Sequence, residues 1–232
     1  MKKQIFIALI SYLFFTQATC AQFYNKERVF EFDYSIEDSK NAHEGTVYLG
    51  CSKSQREELG GQYLIMWTSK FEDLLDNYFS TGVTGVGESK DSIFLHPPRH
   101  DSFGILEYSP FPIIYFPLKE NKLWKWNVTI GEIWANKLGL SPENRNYKYE
   151  VTGVKSIFSN LQFENIDCYE IKAISINEML KSSFIGYFSK EYGFVKMIYN
   201  NVDGSVIELR LKNINSWSYY REKAAEIDFK FF

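Results

Sequence analysis

Two histidines four residues apart, His96 and His100, with Arg99 and Asp101 beside them, are the residues of this chain whose types and spacing first suggest chemistry. On a helix, that interval puts two imidazoles on one face, where they can hold a divalent metal. Pro97 and Pro98 lie between them, and a helix interior does not accept those prolines. What remains is a loop-built polar cluster of His96, Arg99, His100 and Asp101, with Asp101 or Glu107 as the oxygen donors a metal would need. His43 with Glu44 is the other histidine and carboxylate pair. The simpler expectation is a surface loop on which Arg99 pairs with Asp101 and both histidines are solvated. No metal or cofactor is assigned to it.

Other chemistry is harder to find. There is no G-x-S-x-G elbow, and nothing local places a serine or cysteine beside a histidine. Gly82, Gly85 and Gly87 are followed by Glu88, Ser89 and Lys90, not by the Lys-Ser or Lys-Thr of a phosphate loop, so they read as a flexible turn. Cys51 and Cys168 fall inside strand patterns and match neither a CxxC motif nor a zinc set. They are expected either as two buried small hydrophobes or as a disulfide. Trp124 and Trp126 interleave with Lys125 but share one strand face, which favours a core role over a stacking platform. No catalytic residue is assigned, and an enzyme has no motif in its favour.

The polar cluster belongs to a longer stretch, His96 to Pro117, which holds five of the six prolines and two of the three histidines. Pro97 and Pro98 end the strand Ser92 to Leu95, Phe103 to Tyr108 resumes an extended run, and Pro110, Pro112 and Pro117 punctuate the next. Such a density of proline fits edge strands or a wrapping loop.

Before that stretch, Val29 to Ile36 puts Phe30, Phe32, Tyr34 and Ile36 on one face and Glu31, Asp33 and Ser35 on the other. This is a half-buried strand. Thr46 to Cys51 and Gln62 to Thr68 repeat the pattern, separated by the polar SKSQREELGG segment. Phe71, Leu74, Leu75, Tyr78 and Phe79 then recur at three and four residues behind an S-x-x-E box at Ser69 and Glu72, which predicts an amphipathic helix over Lys70 to Ser80.

After it, Trp124, Trp126, Val128 and Ile130 alternate with polar residues, and Gly131 is expected to bulge this strand before a further one, Glu132 to Lys137. Leu138 to Asn146 reads as a loop. Tyr147 to Phe158, Ile166 to Ile176, Ser183 to Ser189, Phe194 to Tyr199 and Ser205 to Ile214 are five strands joined by hairpin turns. Trp217 to Glu226 reads as a terminal helix and Ile227 to Phe232 as a returning strand.

The N-terminus sets the compartment. Lys2 and Lys3, the apolar Ile5 to Phe15 and the small residues Thr16 to Ala21 compose a secretory signal, residues 1–21, cleaved after Ala21; the alternative is lipidation at Cys20. Residues 22–232 then form one antiparallel β domain, and no second apolar run is long enough for a membrane helix. Loss of Lys2 and Lys3 takes the formal charge from −3 to −5, which argues against nucleic acid or anionic membrane as a partner.

The C-terminal half carries a resemblance. Cys168-Tyr169-Glu170-Ile171, then Tyr187 to Lys196 (YFSKEYGFVK) and the Asp203-Gly204 turn, with Pro117 to Trp124 upstream, resemble exported Gram-negative proteins of unknown function. Some of these are thought to share the curved half-barrel of periplasmic lipoprotein-carrier and related lipid-binding proteins. The resemblance implies that architecture and transfers no functional residue.

The expected fold is therefore mainly β: a single antiparallel, strongly curved sheet or open half-barrel with one or two helices. The expected protein is exported to the periplasm or cell envelope. Its partner is a lipid-like or apolar ligand held in the concavity. The alternative is an envelope protein held by the 96–117 stretch or a sheet edge.

Overall fold

The computed structural model describes residues 22–38, 42–56, 60–70, 72–73, 83–177 and 179–228. Its strands are β1 (Arg28–Glu37), β2 (Ala42–Arg56), β3 (Gln62–Thr68), β4 (Val83–Glu88), β5 (Ser92–Leu95), β6 (Ile113–Tyr115), β7 (Leu123–Ile130), β8 (Glu143–Ser159), β9 (Glu164–Ser175), β10 (Ser183–Ser189), β11 (Gly193–Asn200) and β12 (Val206–Ser216). They form one twelve-stranded sheet in the order β6-β5-β4-β3-β2-β1-β12-β11-β10-β9-β8-β7. Every pairing is antiparallel. The mainly β, antiparallel sheet expected from the alternation forms, with the half-barrel curl that the resemblance implied. Three short helices accompany it among the described residues, where one or two were expected: a 3-10 helix (Asp101–Tyr108), α1 (Glu132–Leu138) and α2 (Trp217–Asp228).

Alternation explains which face closes inward. Phe30, Phe32 and Ile36 of β1 are buried, as are their ladder partners Val47 and Leu49 on β2 and Leu211 and Ile207 on β12. Register shifts at Glu31/Phe32, Tyr187/Phe188, Val151/Gly153 and Cys51/Gln55 add residues to one strand of a pair. Each such bulge bends its strand and sharpens the twist, which curls the sheet. The pairing of β1 with β12 joins the two ends of the chain and makes the meander one surface.

The two edge strands nearly meet. β6 has only three residues, and between it and β7 the contacts are side chains: Tyr115 against Trp124 at 6.0 Å and Phe111 against Trp126 at 5.3 Å between ring centroids. Trp124 and Trp126 stack on Tyr149 and Tyr147 and pack on the core, as expected for a core role.

The N-terminal residues close one end of the curl. Phe23 and Tyr24 are buried, and the Glu88 carboxylate accepts the backbone N–H groups of Phe23, Tyr24 and Asn25 at 2.6, 2.9 and 3.0 Å. The Tyr24 hydroxyl accepts the Phe194 N–H at 3.1 Å, which ties residue 24 to β11.

Several local expectations give way. Phe103 to Tyr108 is not extended but the 3-10 helix: the residues between Pro98 and Pro110 contain no proline, so the prolines constrain only its flanks. Its residues from Phe103 to Tyr108 are all buried, so no polar face exists to reveal a period. Glu132 to Lys137 is helical, with Gly139 at φ 65 ending α1 and donating to the Asn136 carbonyl. The glycines at 85 and 87 lie within β4, and the Gln62 side chain lies across the space a Cβ at Gly85 would take. β2 runs on to Arg56, and the loop before β8 is only residues 139–142. Ile227 and Asp228 belong to α2, and residues 229–232 of the expected last strand lie outside the described residues. Of the helix over Lys70 to Ser80, Glu72 and Asp73 are helical, Lys70 is not, and the remainder lies outside the described residues. Cys51 and Cys168 are both buried and unbridged, and burial pushes both thiols up, so they are the packed pair and not the disulfide.

Candidate functional site

The His96 to Pro117 stretch fills the curl. From the end of β5 the chain turns inward, and the 3-10 helix places Phe103 against Tyr34, with 5.1 Å between ring centroids. Its C-terminal end is held by carbonyls: Tyr147 and Ser182 hydroxyls donate to the Tyr108 carbonyl at 3.1 and 2.9 Å, and the Tyr149 hydroxyl donates to that of Phe111 at 2.9 Å. The Ser109 hydroxyl donates to the Asn201 side-chain carbonyl at 2.7 Å. Together these hydroxyls satisfy acceptors at Tyr108, Phe111 and Asn201; a buried acceptor left unpaired costs about 1–3 kcal/mol. Pro97, Pro98, Pro110 and Pro112 are buried as part of this plug.

At the opposite end from Tyr24 the plug carries the polar cluster. His96 follows β5 and is anchored by its backbone carbonyl, which accepts the Trp67 indole N–H at 2.8 Å. Its Nδ1 lies 2.9 Å from the Pro97 carbonyl. A carbonyl only accepts, so Nδ1 carries the proton and Nε2 of the neutral ring presents a lone pair. That lone pair faces Glu107 Oε1 at 3.5 Å. Arg99 donates through Nη2 to the Val83 carbonyl at 2.5 Å, has Nη1 4.0 Å from Glu107 Oε1, and lies over the Trp134 ring of α1.

The electrostatics follow from burial. Burial pushes the Glu107 carboxyl up to about 7, against the pull of Arg99 and Lys137. It pushes His96 down to about 4, against its bond to Pro97 and with help from Arg99. Desolvation disfavours the charged form of both groups, so the two move in opposite directions. Glu107 Oε1 and His100 Nδ1 are buried without a hydrogen-bond partner. His100 is lowered as well, by burial first, and its Nε2 lies 3.0 Å from the Ser69 hydroxyl.

The structure thus brings His96 and Arg99 together around Glu107, a residue the sequence offered only as a metal donor. His100 sits to the side on Ser69. Asp101 is exposed at φ 47 and starts the 3-10 helix. No ion pair joins Arg99 to Asp101 among the described residues, and the histidines are not the solvated pair expected. His43 lies on β2, exposed and paired in register with Ile36, on a strand apart from this cluster. Among the described residues, no three His, Cys, Asp or Glu side chains are placed to hold a metal ion. Glu107 carried no local sequence signal, because only the 3-10 turn brings it back to His96.

Two clefts lie outside the plug. One of about 600 Å³ is lined by Asp33, Ser35, Glu44, Thr46, Glu208 and Arg210, with Asn160 beside them. One of about 180 Å³ lies between Ile157 to Asn160 and Val195, Lys196, Arg210 and Leu211. In the first, Lys196 and Arg210 already pair with Glu208, and Lys212 with Asp33.

Fold and site together describe an antiparallel half-barrel plugged by its own chain, with a buried acid and imidazole at one end of the plug. No protein-family model and no curated protein matches the chain. Among solved structures it is similar to the hypothetical lipoprotein YmcC from Escherichia coli, with 10% identity, 84% of this chain and 90% of that chain covered, and a TM-score of 0.40. It is also similar to a Bacteroides fragilis protein described as exported and YmcC-like in fold, with 10% identity, 84% and 98% covered, and a TM-score of 0.34. Both are weak, fold-level likenesses. No helix of the described residues is long and apolar enough to cross a membrane.

Proposed function

We propose that this chain is an exported cell-envelope protein that acts through its outer surface, not as an open carrier of an apolar ligand. The observation that carries this reading is the filled concavity. Phe103, Leu106, Tyr108 and Phe111 occupy the space a lipid-like ligand would need, each at most 2% exposed. A carrier site is concave and largely preformed, and the two clefts described above are polar-lined or small and lie outside the plug. Export is supported by the basic, apolar and small-residue order of residues 1–21. The buried prolines of the 96–117 stretch leave that stretch little surface for a partner, so contact falls to other elements.

Native mass spectrometry of the protein purified from its host envelope tests the reading. The expected spectrum shows the processed chain without a co-purifying lipid beyond any covalent N-terminal modification. A stoichiometric, non-covalent lipid would overturn it.

A further inference from the structure

We infer that the tip of the β8–β9 hairpin is a lipid-bilayer contact, seated on the membrane at the end of the barrel where the export signal joins the fold. The inference rests on the reading of an exported protein that acts through its surface.

The hairpin tip is apolar where it should be polar. Phe163 in the turn is 82% exposed, and Phe158, one residue from the end of β8, is 60% exposed. Turns normally carry Gly, Asn or Asp where φ is positive, yet Phe163 holds φ 54. A bulky residue in that conformation, with its ring in solvent, gains nothing for the fold. Leu161 and Ile157 pack back onto the core and brace the tip.

Position selects the partner. Gln162 Nε2 donates to the Tyr192 hydroxyl at 3.1 Å in the turn between β10 and β11. The next residue, Gly193, faces Tyr24 and Phe23, and Phe23 packs on Phe188 with 5.4 Å between centroids. A short chain of contacts therefore leads from Phe163 to Phe23 and Tyr24, which follow the expected signal. Only Ala21 and Gln22 separate Cys20 from buried Phe23, a reach of roughly 10 Å at full extension. If Cys20 is acylated, this end is held against a bilayer. If the chain is cut after Ala21, the exposed rings alone supply the affinity. Lys190, over the Tyr169 ring in the neighbouring β10–β11 turn, is placed to reach lipid headgroups.

The test uses residues 22–232 with a hexahistidine tag in place of residues 1–21, tethered to phosphatidylcholine vesicles containing nickel-chelating lipid. Cys51 and Cys168 are fully buried, so a Phe163→Cys variant takes an environment-sensitive fluorophore selectively. A Met179→Cys variant, 95% exposed at the opposite end of the barrel, is the control. Tethering is expected to raise and blue-shift emission at 163, with quenching by lipid-borne nitroxide, and to leave 179 unchanged. A Phe158→Ser, Phe163→Ser double variant should lose vesicle binding by about tenfold or more when untethered. No response at 163, or an equal response at 179, overturns the inference. So does a change at 163 that follows protein concentration without vesicles, which would assign the tip to a second copy or another protein. None of these outcomes depends on whether a lipid co-purifies inside the barrel, so this inference and the proposed function fail separately.

Discussion

Glu107 Oε1 stands 3.5 Å from the lone pair of His96 Nε2, with both side chains almost out of solvent at 7% and 14% exposure. One proton between them leaves both groups neutral when it rests on the carboxyl. The same burial that raises the acid lowers the imidazole, so at mildly acidic pH each is held in its uncharged form.

This pairing predicts opposite pH slopes in two single variants. Glu107 is raised from 4.5 to about 7, so its contribution is full below 4.5 and is lost as pH rises through 7. His96 is lowered from 6.5 to about 4, so its contribution is full above 6.5 and is lost as pH falls through 4. Between 4.5 and 6.5 the two effects cancel, and the pair adds little pH dependence to the wild type. In Glu107→Gln only the histidine effect remains, and stability should rise by about 3 kcal/mol between pH 4 and 6.5. In His96→Asn only the carboxyl effect remains, and stability should fall by about 3 kcal/mol between pH 4.5 and 7. Urea unfolding of the two variants and the wild type across pH 4 to 8 reads this directly. Parallel slopes in the two variants would refute the pairing.

A second prediction concerns Arg145, which is fully buried. Its guanidinium donates to the Tyr147 hydroxyl at 2.9 Å, to Ser175 and Ser182 hydroxyls at 3.1 and 3.3 Å, to the Leu180 carbonyl and to Glu143, and it lies over the Tyr108 and Tyr147 rings. It therefore fastens the loop between β9 and β10 to the plug. Arg145→Ala should cost about 3–5 kcal/mol, because it removes the buried charge partner of Glu143 and leaves the Leu180 carbonyl without its guanidinium donor. Arg145→Lys should recover only a minor part, since an ammonium cannot reproduce the planar fork. Chemical denaturation of both variants decides the matter; a Lys variant as stable as the wild type would show that charge alone suffices.

These two clusters mark where the sequence could be read and where it could not. The strands Ser92 to Leu95 and Ser183 to Ser189 were legible to the residue because period two survives in them, and Gln62 to Thr68 because a short apolar run is bounded by the turn glycines before it. The 3-10 helix was not, because Phe103, Ile105, Leu106, Glu107 and Tyr108 are buried on every side and their pattern carries no period. α1 was masked by its length: seven residues give Trp134, Ala135 and Leu138 too few turns to separate helical from extended spacing. His96 and Arg99 were visible as a cluster by proximity alone. Glu107 as the centre of that cluster depends on a tertiary turn, and Arg145 fell in the stretch read as a loop, so nothing marked it as sharing the core face of Tyr147 and Tyr149.

The last prediction returns to the plug and to what it excludes. Phe111 is 2% exposed and fits between the sheet edges, with ring centroids 5.9 Å from Phe94, 5.3 Å from Trp126 and 4.7 Å from His96. Its carbonyl is held by Tyr149, so the backbone at 111 stays in place when the ring is removed. Phe111→Ala should then leave a cavity and not a collapse, at a cost of about 3–5 kcal/mol. An apolar cavity of that kind stays dry and takes up small aromatic molecules. The expected result is a variant that still unfolds cooperatively, has a lowered midpoint, and is restabilised by benzene or a similar probe that leaves the wild type unaffected. If the wild type is stabilised by the same probe to the same degree, its interior already offers an apolar site, and the view of the barrel as filled by its own chain must be abandoned.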